Sequence, residues 1–238
     1  MINYGTRARL GMILPSGNQV AEPLFNAMLP AGVSLHTTRL KLTGSSDKEL
    51  QAMTERLEDA AQLVADAEVD LVLFHCTAVT TWDASHEQSI KDRIAAASGR
   101  PVTATSEAIL AALRKVNAER IVMLSPYIEA INRREVAYFT NAGFTVLHSA
   151  GLDKGTAHEM AAVTPADWLA FARAHSAANA DAYLLSCTTV RTSEVAETLE
   201  TEFGCPVITS NIAAVWFCLR RMSIADRVDG YGRLFREH

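Results

Sequence analysis

Two cysteines sit in near-identical settings 111 residues apart: Asp70-Leu-Val-Leu-Phe-His75-Cys76-Thr77-Ala78-Val79 and Asp181-Ala-Tyr-Leu-Leu-Ser186-Cys187-Thr188-Thr189-Val190. Thiols at the same point of two equivalent segments can both face one small molecule. Such a pair supports two chemistries. In one, a thiolate takes a proton from carbon while the other thiol donates one, giving racemisation or epimerisation. In the other, a thiolate adds to an activated double bond, the resulting single bond rotates, and the thiolate is expelled. Both pass through an enolate-like carboxylate that hydroxyl and backbone N–H donors would stabilise.

The repeat extends beyond the cysteines. Arg9-Leu-Gly-Met-Ile-Leu-Pro-Ser16 matches Arg120-Ile-Val-Met-Leu-Ser-Pro-Tyr127 at the same offset of 111, so the two matches share one register. Gly99-Arg-Pro-Val and Gly204-Cys-Pro-Val follow at an offset of 105, which implies a short deletion after the second cysteine. The chain therefore reads as two homologous halves: residues 1–116, completed by 212–238, and residues 117–211.

Short apolar runs alternate with longer amphipathic stretches. Leu10–Leu14, Leu71–Phe74, Ile121–Leu124, Ala182–Leu185 and Val207–Thr209 read as strands buried on both faces. Residues 20–28, 47–67, 85–97, 106–116, 128–141, 165–179, 192–203 and 211–222 read as helices, with Thr164 capping and Pro165 opening one of them. Strand then helix, repeated, means parallel sheets covered by helices. Ligands of such sheets bind beyond the carboxyl ends of the strands. The tips there are Pro15-Ser16-Gly-Asn18, Cys76-Thr77-Ala78, Thr103–Ser106, Ser125-Pro-Tyr127, Cys187-Thr188-Thr189 and Thr209–Asn211. Small hydroxyls beside helix starts favour an anion, with a carboxylate as the natural guest, and the same setting is expected to make Cys76 and Cys187 thiolates near neutral pH.

Composition fits an ordinary globular chain: 238 residues, 49% hydrophobic and 21% charged, enough to bury two modest cores. A net charge of −5 without a basic run speaks against nucleic acid as partner. The segment Met1-Ile-Asn-Tyr-Gly-Thr-Arg7 lacks a signal-peptide core and no apolar run approaches spanning length, so neither membrane nor export is expected, and the location expected is cytoplasmic. The four cysteines then read as free thiols, and none has the paired spacing of a zinc site. No glycine-rich phosphate loop follows a strand, so no nucleotide cofactor is expected. The expected partner is a small carboxylate, and self-association into a homo-oligomer stays open.

Leu14-Pro-Ser-Gly-Asn18, Cys76-Thr77, Ser125-Pro-Tyr127, Leu185-Ser-Cys187 and the terminal Gly230-Tyr-Gly-Arg-Leu-Phe235 resemble the aspartate/glutamate racemase superfamily, in the branch of maleate cis-trans isomerases and arylmalonate decarboxylases. The resemblance covers nearly the whole chain. It implies an α/β fold of two pseudo-symmetric domains, each a short flavodoxin-like parallel sheet flanked by helices, with the active site in the cleft between them and no cofactor or metal. Pro-Ser-x-Asn and the first cysteine are similar to the isomerases. Decarboxylases have glycine at that cysteine position, whereas Gly230–Phe235 looks more like them. The isomerase pattern implies Cys76 as nucleophile and Cys187 as acid/base partner. Asn18 and Tyr127 would hold a carboxylate, helped by the Ser16, Thr77, Ala78, Thr188 and Thr189 tips. Maleate isomerases carry a further carboxylate-binding asparagine in the loop corresponding to 151–160; this loop contains none, and Ala157 or His158 lies closest.

Racemase and arylmalonate-type decarboxylase readings stand as alternatives, the latter needing Cys187 alone as proton donor. A non-catalytic carboxylate-binding protein is a third. Plainer roles compete at single positions: Asn18 as a helix cap, Tyr127 as a core residue, and Cys205 and Cys218 as small buried hydrophobes. His75 alternates away from the cysteine's face. His158 alone among the other histidines reads as a pocket candidate. Trp82, Trp168 and Trp216 read as packing anchors, and Lys154 as a solvated loop charge.

Overall fold

The computed structural model describes residues 3–44 and 46–238. The first half carries strands β1 (Ala8–Pro15), β2 (Val33–Leu40), β3 (Leu71–Phe74) and β4 (Val102–Ala104); the second carries β5 (Arg120–Tyr127), β6 (Thr145–Lys154), β7 (Ala182–Leu185) and β8 (Val207–Thr209). Each set forms one parallel sheet, ordered β2-β1-β3-β4 and β6-β5-β7-β8. The two orders are the same order, as the sequence repeat requires.

The repeat is visible at single hydrogen bonds. Asp70 and Asp181, just before β3 and β7, accept through their carboxylates from the N–H groups of Arg9 and Arg120 at 2.8 and 2.7 Å, and each returns its own N–H to the same arginine's carbonyl at 2.8 Å. These bonds pin the start of each inner strand to its neighbour. At the same edge of the sheets, Gly99 and Gly204 close a helix in the left-handed conformation, with φ of +63° and +74°, two residues before the proline that leads into β4 or β8.

Twelve α-helices cover the sheets: α1 (Ala21–Met28), α2 (Asp47–Ala52), α3 (Leu57–Ala65), α4 (Thr77–Thr80), α5 (Ala84–Ser98), α6 (Thr105–Lys115), α7 (Glu129–Asn141), α8 (Ala157–Ala162), α9 (Pro165–Ala174), α10 (Ala196–Phe203), α11 (Ser210–Arg221) and α12 (Arg233–Glu237), counted among the described residues. α11 leaves the second sheet and packs on α6 and α1 of the first half, joining the two layers. The closing segment then touches both halves. Asp226 pairs with both guanidinium nitrogens of Arg7, while Gly232 and Arg233 donate their N–H groups to Glu197 and Glu200 of α10.

Three strands escape the sequence reading: β2, β4 and β6. β2 and β6 are outer strands with mixed burial, so they lack the continuous apolar run that marks β1 or β7. β4 is only three residues long. The helix expected over 47–67 is broken by a 3₁₀ turn at Met53–Arg56, where the Thr54 hydroxyl donates to the Gln51 carbonyl at 2.9 Å and competes with the helical ladder. The helix expected over 165–179 stops at Ala174, and the Ala177 N–H goes to the Tyr183 hydroxyl instead, at 3.0 Å.

Gly151 on β6 has no room for a side chain. A Cβ there would lie 2.4 Å from the Tyr127 carbonyl, a backbone atom that cannot turn away. Gly151→Ala is expected to cost about 2–4 kcal/mol in urea unfolding and to shift the end of β5 that carries Tyr127.

Candidate active site

Both thiols emerge two residues past an inner strand. The N–H groups of His75 and Ser186 make the last sheet bonds, each 2.8 Å to the carbonyl of Ile13 or Leu124. The next residue turns out of the sheet. Cys76 stands at the N-cap of α4 in extended conformation. Cys187 takes a φ of +107°, a strained setting for a residue with a side chain. Its N–H donates to Ser210 Oγ at 3.0 Å, and the Thr189 N–H reaches its sulfur at 3.3 Å.

Ser210 is a junction between the halves. Besides the Cys187 amide, its Oγ accepts the Thr77 hydroxyl at 3.0 Å, so the turns carrying the two cysteines share one buried atom. Asn18 makes a second crossing. Its Oδ1 accepts the N–H groups of Val20 and Ala21 at 2.9 Å, capping α1, while its Nδ2 donates to Thr188 Oγ1 at 3.1 Å. A third crossing runs from His75 Nε2 to Asn211 Oδ1 at 2.9 Å and from Asn211 Nδ2 to the Thr188 carbonyl at 3.3 Å. His75 lies edge-on to Phe25, fully buried, and burial pulls its pKa down to about 4. It is a neutral cross-link, turned away from the thiols.

Between the halves lies a cavity of about 40 Å³, room for a few waters or a small ligand. Cys76, Ala78, Tyr127, Cys187, Thr188 and Thr189 line it together with Pro15, Leu42, Gly44, Leu50, Ala157 and Met160. The second set is nearly all apolar. The strips that carry Gly44 and Ala157 meet over the cavity in an antiparallel bridge, Gly44 with Thr156, reinforced by the Ala157 N–H donating to the Thr43 carbonyl at 3.1 Å. Met160 Sδ comes within 4.0 Å of Cys187 Sγ. His158 lies outside this roof, in a wider depression with Gln19 and Glu49.

Of the residues singled out from sequence, Cys76, Ala78, Tyr127, Cys187, Thr188 and Thr189 line the cavity. Asn18 stands one hydrogen bond behind Thr188. Ser16 faces the roof strand, accepting the Leu42 N–H at 3.1 Å, and Thr77 spends its hydroxyl on the junction. Leu42, Leu50 and Met160 went unread, because an apolar roof residue looks like any core residue. Trp168 is fully buried against Phe171, Cys218 is buried, and Trp82 underlies the Arg134 guanidinium at 4.0 Å.

The expectation of thiolates at neutral pH is reversed by burial. Burial pushes Cys76 up to about 12 and Cys187 up to about 11. The helix behind Cys76 has four residues, too few aligned peptides to offset desolvation. Cys187 is held lower by hydrogen bonds from the Tyr127 hydroxyl and the Thr189 N–H. The Tyr127 hydroxyl itself stays neutral, since burial and the sulfur beside it raise its pKa.

Residues 10–235 match the family model of arylmalonate decarboxylase. The chain belongs to the arylmalonate decarboxylase family. Within the branch, it is 28% identical over 240 residues to the maleate isomerase of Nocardia farcinica, covering 96% of each chain, and 26% identical over 232 residues to the arylmalonate decarboxylase of Bordetella bronchiseptica, again 96% of each. The structure of a cysteine-to-serine mutant of Nocardia farcinica maleate cis-trans isomerase with a covalently bound succinylcysteine intermediate superposes with a TM-score of 0.91 at 26% identity, over 97% of this chain and 99% of that one. The family fold is thus the two-sheet architecture described above. Among the described residues no helix is long and apolar enough to cross a membrane, and no three His, Cys, Asp or Glu side chains are grouped to hold a metal ion.

Two tests follow from the crossings. Ser210→Ala leaves the Thr77 hydroxyl and the Cys187 N–H buried without their acceptor, and thermal or urea unfolding should show a loss of about 2–4 kcal/mol. His75 has a folded pKa below its unfolded value, so wild type gives up stability as pH falls from 6.5 to 4, where the unfolded chain binds a proton that the folded one refuses. Compared at pH 7 and pH 4, His75→Gln should gain on wild type by about 2–3 kcal/mol at the acid end; equal differences at both pH values would contradict a neutral buried imidazole.

Proposed function

We propose that this protein is a cofactor-independent two-cysteine isomerase of a small unsaturated carboxylic acid, of the maleate cis-trans type. One observation carries the reading: two thiols, delivered by the duplicated strand ends, line one small buried cavity. The covalent succinylcysteine in the Nocardia farcinica relative supports the same chemistry for this chain.

In this reading Cys76 passes its proton to the water that leaves the cavity as substrate enters, and its sulfur adds to one alkene carbon. The electron pair of the double bond moves toward the carboxylate, giving an enolate-like species held by the Thr188 and Thr189 tips and the Tyr127 hydroxyl. Cys187 gives its proton to the other carbon, leaving a thioether with a single C–C bond. Rotation about that bond, return of the proton to Cys187 and expulsion of the Cys76 sulfur yield the trans alkene. Atoms and charge balance, and nothing is oxidised. Asn18 acts by fixing Thr188. The roof excludes water, which would otherwise protonate the intermediate at random.

The walls also bear on the substrate. Ala157, one of the two residues closest to the asparagine position that the isomerase resemblance implies, lines the cavity together with Leu42, Leu50 and Met160. The far end of the substrate therefore meets apolar groups, and a cis-unsaturated acid with an apolar end is the better guest than one with two carboxylates.

Proton NMR in deuterated water tests all of this at once. With maleate and a cis-unsaturated monoacid present, conversion to the trans isomer is expected, and Cys76→Ser should lower it by roughly 10³-fold or more. In Cys187→Ser the thioether should accumulate on Cys76, visible by intact-protein mass. If the alkenes are untouched while aspartate exchanges its α-proton, the protein is a racemase. If phenylmalonate loses carbon dioxide and Cys76→Ala retains that activity, it is a decarboxylase.

A further inference from the structure

Glu135 takes no part in the chemistry above, yet it lies behind both thiols. It sits on α7 of the second half with no solvent exposure. Its Oε2 has no hydrogen-bond partner. Its Oε1 lies 3.3 Å from Thr81 Oγ1, immediately beyond the α4 turn of the first half that carries Cys76. The neighbouring cation does not neutralise it. Arg134 turns its terminal nitrogens to Asp47 of α2 at 2.9 Å and to the Ala78 carbonyl at 3.2 Å and lies over the Trp82 ring, while its buried Nε, like Glu135 Oε2, makes no hydrogen bond and no ion pair joins the two side chains. A carboxylate here would be a dry charge without an ion pair.

The Thr81 contact tells which form is present. Thr81 has one hydroxyl proton, and its Oγ1 is 2.8 Å from the Thr77 carbonyl, the shorter of its two contacts. With that proton shared between the Thr77 carbonyl and Glu135, Oε1 accepts only the longer arm, too little to hold a bare carboxylate. The titratable and charged groups that face Glu135 are Cys76 beyond β3, Tyr127 at the end of β5, Cys187 beyond β7 and Arg134 on its own helix; Thr81 and Ser186 add neutral hydroxyls.

We propose that Glu135 is a positioning residue that works as a neutral carboxylic acid: it hooks α7 onto the Cys76 turn and, by keeping its proton, leaves room for one negative charge on the thiols. The proposal rests on the two-cysteine reading for its purpose. When Glu135 ionises, its anion opposes thiolate formation at both cysteines, so site and carboxyl titrate as one coupled group. Burial places that ionisation near neutrality, about 7, above the ordinary carboxyl range.

The test needs no substrate, so it stands apart from whether maleate is turned over. Wild type and Glu135→Gln, the isosteric neutral form, are alkylated with iodoacetamide between pH 6 and 10 and followed at Cys76 and Cys187 by peptide mass. At pH 6 the rates should agree. Above pH 8 the variant should react at least three-fold faster, because no anion opposes its thiolates. In parallel, wild type labelled with carboxyl-¹³C glutamate is titrated by NMR. One glutamate is expected to titrate above pH 6, and its signal should vanish in Glu135→Gln. If that variant does not fold, Thr81→Val, which unhooks the carboxyl, should move the same signal. Equal alkylation rates across the range would overturn the proposal, as would a titration in which every glutamate ionises below pH 5.5, or a high-pH signal that neither variant changes.

Discussion

The oxygen of Ser210 accepts one hydrogen bond from each half of the molecule, and the site depends on it. Thr77 follows Cys76 directly, and the other donor is the amide of Cys187 itself, so two thiols 111 residues apart are placed by a single shared acceptor. Both donors are buried, so loss of the serine oxygen leaves them without their acceptor. Such a bond contributes little net energy while made and costs much when broken, which makes it a device for precision more than for stability. The crossings through Asn18 and through His75 and Asn211 run beside it, and all three end at the strand tips.

The duplication is used symmetrically for scaffolding and unequally for chemistry. Asp70 and Asp181 do the same work, as do Gly99 and Gly204. At the tips the copies diverge. Ser16 corresponds to Tyr127, yet one hydroxyl ties down the roof strand while the other reaches the cavity and a sulfur. Thr77 corresponds to Thr188, and only the latter lines the cavity. An internally repeated chain can hold the frame fixed in both copies and still offer a small guest two different sides.

Much of this was legible before the structure because it lives in local patterns. Inner strands buried on both faces announce themselves as apolar runs, and equal offsets gave both cysteines and the parallel order. The outer strands β2 and β6 were hidden by their mixed exposure. The roof was hidden for another reason: Leu42, Leu50 and Met160 have no chemistry in their side chains, and their role arises from long-range packing. Glu135 is the sharpest case. Nothing in Arg133-Arg134-Glu135 marks one charge from the next, and only packing of α7 against the other half turns Glu135 fully inward. The protonation of the thiols was misjudged on the same ground, since sequence shows the helix start and not the depth of burial.

The roof over the cavity is made of main chain contributed by both halves. Gly44 and Thr156 are joined as a fragment of β-ladder, and such a fragment has only two ways to let a molecule past: its hydrogen bonds break, or the sheets on either side move apart. Traffic in and out is thereby tied to the relative breathing of the two halves. Residues far from the sulfurs, on α11 or in the closing segment that touches both layers, can then set the pace of ligand exchange while leaving the bond-making steps untouched.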